Sequence, residues 1–271
     1  MKKLVLVFVL LVVACPECLA WGPKGHAIVA ELARERLSEA SRRNIIALLG
    51  NDDLSAIASW ADEIRSNRPE TYGWHFVDIP RNASGFSQAR DCFQPDDKRP
   101  ASLTDHHNCI VDRIKMFKAI LKDKKASPAD RIEALKFLVH FVGDIHQPLH
   151  AILEARGGND IHVVAFGSPQ CGTRPCNLHS QWDAGLIEHT QRSQPDYVTY
   201  LNEVIQERKL RSGGKPKDWA NKSLKLARQV WLNEGDQLDE NYFRVNIQVV
   251  DEQLALAGLR LAKLLNDVFH K

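Results

Sequence analysis

The sequence predicts a mainly α-helical single domain with a small β-hairpin. Apolar residues recur at helical spacing through most of the chain. About 250 residues follow an N-terminal leader, which suits one large core. We find no repeat, low-complexity tract or linker to divide them. Only IHVVAFG (161–167), after Gly157-Gly158, reads as a strand or hairpin arm.

Residues 1–20 read as a secretory signal. Lys2 and Lys3 form a basic start, Leu4 to Ala14 is uncharged and apolar, and Leu19-Ala20 precedes Trp21. The run is too short to span a membrane. The mature domain is therefore expected at 21–271, secreted or periplasmic. A minor alternative is a lipobox, Val12-Val13-Ala14-Cys15, which would anchor the chain at Cys15.

The elements follow in order. Ser38 caps a helix that ends at Gly50, and Ser55 is placed to cap SAIASWADEIR. Arg81 to Thr104 reads as a long polar loop pinned by Cys92. A helix around Asn108–Leu121 stops before KDKKASP. Pro128 opens PADRIEALKFLVHFVGD, which Pro148 must end. HSQWDAGLIEH, Asp196–Arg211 and Lys217–Leu232 read as helices. The C-terminal segment of the chain carries Leu254, Leu261, Leu264, Leu265 and Val268 at helical spacing.

The 36 Lys and Arg nearly balance 34 Asp and Glu, leaving a formal charge of +2. That argues against a basic groove holding nucleic acid through many phosphate contacts. It leaves room for a phosphate site built on metal ions. Cys15 and Cys18 depart with the leader. The remaining four suit two disulfides, with nearest-neighbour pairing Cys92–Cys109 and Cys171–Cys176. Neither spacing suits a zinc knuckle.

HFVGDIHQPLH (140–150) holds three histidines and an aspartate in an apolar stretch. His140 and Asp144, four apart, share a helical face. His146 points elsewhere, and His150 follows Pro148 in a new direction. HSQWD again places His179 and Asp183 four apart. Asp62 in WADEIR, His75 in WHFVDIP and His26 in AWGPKGH add further imidazole and carboxylate groups. These are zinc ligands by type, and helical pairs present two together. A lone pair of this kind is more often a satisfied core contact. The recurrence points to a multi-metal site.

Six motifs then stand in order: WGPKGH (21–26), SAIASWADEIR, WHFVDI (74–79), ALKFLVHFVGDIHQPLH, GGND (157–160) and NLHSQWD (177–183). Together they resemble the secreted zinc-dependent single-strand-specific nucleases of the S-one/P-one type, also called 3′-nucleotidases. The resemblance spans the whole mature chain. It implies a mainly α-helical domain of a fold shared with zinc-dependent phospholipase C, and three Zn2+ ions. Asp62, His75 and His140 would hold one ion, with Asp144 bridging to a partner. The partner would take His26, Asp144, and the α-amine and carbonyl of Trp21. His150, His179 and Asp183 would hold the third. His146 is not a family ligand and is expected either behind a ligand or merely exposed. Three zinc ions against three aspartates would leave the pocket positive in a near-neutral protein.

The resemblance implies hydrolysis of single-stranded DNA, RNA and 3′-nucleotides, with the 3′ O–P bond cleaved to leave 5′-phosphates. Arg65 would reach the phosphate, although three residues after Asp62 it also suits an ordinary intrahelical pair. Asp78 would orient the attacking water or a base edge; in a regular strand it would face away from His75. Phe76 would stack on a base, unless it is core. Asn159 would bond phosphate, unless it only shapes the turn after Gly157-Gly158. Phospholipase C is the alternative activity, but its final ligand is typically Glu where Asp183 stands. A structural or zinc-storing protein would favour closed, cysteine-rich sites. Sequons at Asn82 and Asn221 matter only in a eukaryotic secretory path, and the leader looks bacterial. No protein partner is implied, and a monomer is expected.

Overall fold

Helix α6 (Pro128–Asp144) runs through the centre of the molecule. Ser127 caps it, its hydroxyl accepting the Asp130 N–H at 3.1 Å, and Pro128 opens its first turn. Every residue from Phe137 to Asp144 is buried, so its second half is enclosed on all sides. This is the computed structural model of the chain, and it describes residues 21–92 and 108–270. The expected signal, the lipobox at Cys15 and residues 93–104 of the Arg81–Thr104 loop lie outside the described residues.

Three helices enclose α6. On one side, α5 (Ile110–Lys122) packs Phe117 against Phe137, with ring centroids 4.5 Å apart and planes 18° apart. Burying a side chain such as Phe137 contributes about 1.5–3 kcal/mol. On another side lies α12 (Glu240–Phe269), thirty residues long and capped by Asp239, whose carboxylate accepts the Tyr242 N–H at 2.8 Å. Between α6 and α12 sits α1 (Pro23–Arg34), bringing His26 inward. Gly258 lets α12 approach α1: a Cβ there would stand 2.5 Å from Leu32 Cβ. Further out come α2 (Glu39–Leu49), α10 (Gln194–Glu207) and α11 (Pro216–Val230). Ser38 and Gly50 cap α2 as expected.

Two elements differ from expectation at the site. SAIASWADEIR is not one helix capped by Ser55. Asp53 accepts the Ala56 N–H at 3.2 Å, while the Ser55 hydroxyl donates to Ala27 O at 3.3 Å. A 3-10 turn at Ser55–Ile57 and the single turn α3 (Trp60–Glu63) result. Helix α6 also ends earlier than Pro148 alone requires. A continued helix would drive the Pro148 ring into the carbonyl of Asp144. That carbonyl instead accepts the Gln147 N–H at 3.0 Å, and Pro148–Ala151 forms a new 3-10 turn.

The expected hairpin exists, but IHVVAFG does not form it. Val164–Ala165 (β1) pairs in parallel with Gln237–Leu238 (β4). The hairpin joins Gln170–Cys171 (β2) to Arg174–Pro175 (β3), where Gly172 takes φ +67°. Both nearest-neighbour disulfides are present, Cys92–Cys109 and Cys171–Cys176. HSQWDAGLIEH is helical throughout but interrupted: α8 (Leu178–Ser180), a π-turn at Gln181–Gly185, then α9 (Leu186–His189). A single turn, α4, spans Gln88–Asp91. Among the described residues no helix is long and apolar enough to cross a membrane.

Candidate metal centre

Three groups of histidine and aspartate side chains converge beneath one cleft: His26, Asp62 and His140; His75, His140 and Asp144; and His150, His179 and Asp183. All are buried. Helix α6 delivers His140 and Asp144 from one face, His140 Nε2 lying 3.2 Å from Asp144 Oδ2. The 3-10 segment Pro69–His75 delivers His75, whose Nδ1 lies 3.0 Å from Asp144 Oδ2 and 3.6 Å from Asp62 Oδ1. Asp62 Oδ2 lies 3.5 Å from His140 Nε2. From the other side, His26 Nε2 lies 3.2 Å from Asp144 Oδ1, and its ring stacks on His140 at 3.9 Å. Asp144 therefore faces two groups, one with each oxygen.

The third group is assembled separately. Asp183 Oδ2 lies 3.4 Å from His179 Nε2, and Oδ1 lies 3.7 Å from His150 Nε2. The π-turn carries Asp183 round to His179 without breaking the helix. His150 turns away from α6 on the segment begun by Pro148. That segment is stitched to the chain around His75 twice: Val77 N–H donates to His150 O, and His150 Nδ1 meets His75 O, both at 2.9 Å.

The set fits metal ions. Tetrahedral ligation at ~2.0–2.1 Å separates ligand atoms by roughly 3.3 Å, in line with the spacings above. Backbone carbonyls fix the rings: His140 Nδ1 meets Ala58 O and His179 Nδ1 meets Gly157 O, each at 2.7 Å. With His150, this leaves three Nε2 lone pairs aimed inward. Among the described residues, His26 Nδ1 and Nε2, Asp144 Oδ1, His150 Nε2 and Asp183 Oδ2 are buried without an aligned hydrogen-bond partner. Such orphans are costly unless a ligand satisfies them.

Electrostatics agree. Burial lowers His75 to about 4 and also lowers His26 and His179. Burial opposes charge on His140 too, but Asp144 and Asp62 outweigh it and raise it to about 9. The His150 imidazole is likewise raised, with Asp183 and Asp144 overcoming burial. Asp144 is held well below the ordinary carboxylate range; burial works the other way, and His140 prevails. The raised His140 and His150 imidazoles report the negative field of Asp62, Asp144 and Asp183, the field that a bound cation would meet.

Trp21 is fully buried beside these groups. Its indole N–H donates to Gly143 O at 3.0 Å, and the next N–H, of Gly22, donates to Asp183 O at 2.7 Å. Gly143 is needed here, since a Cβ would stand 2.8 Å from His26 Nδ1. Gly157 is needed too: it takes φ +65°, and a Cβ would meet Leu149 O at 2.5 Å. It belongs to α7 (Ala155–Gly158), whose four residues all have positive φ.

The cleft above has a volume of about 540 Å³ and is lined by His75, His150 and His179 at its base. Arg65, Phe76, Asp78 and Asn159 all line it. Arg65 also makes the ordinary intrahelical pair with Asp62, at 3.2 Å. Phe76 is half-buried at the cleft rather than in the core, edge-on to Tyr72 at 5.8 Å. Asp78 reaches the same cleft as His75 because the chain bends between 3-10 and extended backbone at Phe76. Asn159 serves the turn as well, its amide donating to Arg156 O at 2.8 Å. His146 is not exposed. It is fully buried beside α12, bonding Val142 O at 2.7 Å and Arg260 at 2.6 Å, in none of the three groups.

Sequence reasoning missed Gln147, Tyr72 and Arg174. Gln147 is buried and donates to Asp183 Oδ1 at 2.6 Å. Its position inside HFVGDIHQPLH was the available signal. Tyr72 lies under the Arg65 guanidinium at 4.8 Å, and Arg174 comes from the hairpin. Neither follows a periodicity.

A mainly α-helical domain with buried His/Asp groups capable of holding metal ions defines the class. The chain belongs to the S1/P1 nuclease family, whose model matches residues 21–270. It is 30% identical to Endonuclease 4 of Arabidopsis thaliana, over 93% of this chain and 90% of that one. Endonuclease 2 of the same plant is 28% identical over 98% and 96%. Nuclease P1 of Penicillium citrinum is 27% identical over 92% and 97%.

Proposed function

We propose that this chain is a trinuclear zinc phosphodiesterase that hydrolyses single-stranded DNA and RNA and 3′-nucleotides, leaving 5′-phosphates. One observation carries the reading: three His/Asp groups with metal-ligand spacing meet beneath a single cleft. Names of relatives as nucleases and endonucleases favour a nucleic acid over a phospholipid. Asp62, His75, His140 and Asp144 would hold one ion, His26, Asp144 and the Trp21 terminus a second, and His150, His179 and Asp183 a third. When bound, zinc supplies an activated water and offsets charge on the phosphate.

The residues supply the rest. Arg65, fixed by Asp62 and Tyr72, presents its guanidinium to a phosphate oxygen. Asp78 accepts a hydrogen bond from the attacking water or from a base edge. Phe76 offers a ring on which an unpaired base stacks, and Asn159 donates to the phosphate. A stacked duplex cannot enter such a cleft, whereas a splayed strand can. A signal cleaved before Trp21 and export of the mature domain complete the reading. The two disulfides and the start of the family match at residue 21 support it.

Two proteins test this, one beginning at Trp21 and one retaining a single preceding residue. The first should carry about three zinc ions and cleave single strands faster than matched duplex; the second should lose one ion or hold it weakly. Equal zinc content would remove the terminus from the ligand set. Absence of phosphodiester hydrolysis by the zinc-loaded first protein would overturn the function.

A further inference from the structure

Arg65 accounts for one phosphate at the base of the cleft. Arg174 lines the same cleft but is exposed at its rim. It sits on the β2–β3 hairpin, whose strands are two residues each. A hairpin this short is not stable by itself. Here Cys171–Cys176 closes it across five residues. Cys176 is also bonded through its backbone on both sides: its N–H donates to Pro169 O at 2.9 Å, and its carbonyl accepts from Val163 N–H at 3.1 Å. The Cys171 Sγ accepts from Gln181 Nε2 at 3.1 Å. Gln181 lies between His179 and Asp183, so the disulfide fastens the hairpin to the segment carrying the third donor group. The backbone that carries Arg174 is thus closed and tied down at the cleft rim, which reduces the ordering cost of binding there.

The charge of the cleft wall has the same sense. Arg65, paired with Asp62, Arg156, paired with Asp160, and Arg174 line it, and Asp78 is the one acid in that lining outside the donor groups. A single-stranded polymer brings one phosphate per nucleotide. A substrate with only the scissile phosphate has nothing for a rim arginine to bind.

We infer that Arg174 forms an outer phosphate subsite that takes a non-scissile phosphate of the bound strand and so favours polymers over single-phosphate substrates. The disulfide-closed hairpin sets its position. This subsite rests on the phosphodiesterase reading above.

The test compares the zinc-loaded wild type with Arg174→Ala on a single strand of about ten nucleotides and on a dinucleotide holding only the scissile phosphate, across a salt series. Arg174→Ala should lower kcat/KM on the strand by roughly 3- to 10-fold through KM, leave the dinucleotide unchanged, and flatten the salt dependence by about 0.7 in log–log slope. Arg174→Lys should keep that slope. Equal losses on both substrates, or none on either, would overturn the subsite while wild-type activity upheld the function. Wild-type inactivity on both would remove function and subsite together. Replacing Cys171 and Cys176 by Ser should reproduce the selective rise in KM at unchanged zinc content; an unchanged KM would overturn the role of the tether.

Discussion

Gln147 Nε2 donates to Asp183 Oδ1 at 2.6 Å, while Gln147 Oε1 accepts the Leu149 N–H at 2.5 Å. A buried amide thus ties the carboxylate of one helix to the turn that carries His150. Replacing Gln147 by Leu should weaken metal at the His150–His179–Asp183 group by about 10–100-fold and leave the other two groups loaded. Chelator competition with zinc quantification reads this directly. Unchanged affinity would mean that Asp183 is oriented without the amide.

Gly143 is predicted to be a packing requirement of the His26 position. In Gly143→Ala the new methyl would stand 2.8 Å from His26 Nδ1. The variant should lose about one zinc and about 1–3 kcal/mol of stability. Gly258→Ala is the control, because its methyl would meet Leu32 and no histidine. It should destabilise without changing the zinc content. Loss of zinc from both variants would point to general loosening instead.

Zinc loading should weaken on acidification. In the metal-free protein His140 titrates at about 9, burial being outweighed by Asp144 and Asp62, and His150 is raised as well. Metal needs both imidazoles neutral, so below these pKa values binding releases protons. Apparent affinity should then fall by about tenfold per pH unit for each proton displaced. Calorimetry in buffers of different ionisation enthalpy measures the release, and a pH-independent affinity between 6 and 8 would contradict it.

Asp251, in none of the three donor groups, gives a separate pH signature. It is buried and accepts hydrogen bonds from Tyr197 at 2.6 Å and Tyr200 at 3.0 Å. Burial raises its pKa above the ordinary 3.8, the tyrosines and Arg192 opposing. The folded state therefore binds this proton more tightly than the unfolded one. Its contribution is fully present below pH 3.8 and is lost as pH rises through the folded pKa. Denaturant midpoints measured across that window should show a downward component in the wild type that Asp251→Asn lacks.

Much of the centre was legible in the residues. The two i,i+4 pairs, His140–Asp144 and His179–Asp183, announce their chemistry because helical geometry fixes which side chains share a face. Ser38, Gly50 and the proline at 128 mark helix ends by local backbone chemistry alone. SAIASWADEIR departs from a single Ser55-capped helix because the Ser55 hydroxyl bonds Ala27 O, 28 residues away. His146 resembled its neighbours in sequence, yet it faces Arg260, 114 residues further on.

The sequence by itself determined a helical domain, its disulfide pairing and the residue types of a metal centre, since propensity, periodicity and ligand chemistry act over a few residues. Only the tertiary structure decided that Asp144 turns one oxygen to His26 and the other to His75 and His140, that Gln147 holds Asp183, and that Arg174 stands at the cleft. Those relations join segments far apart in the chain. They follow from how buried surfaces and backbone hydrogen bonds close around one another, which no local pattern records.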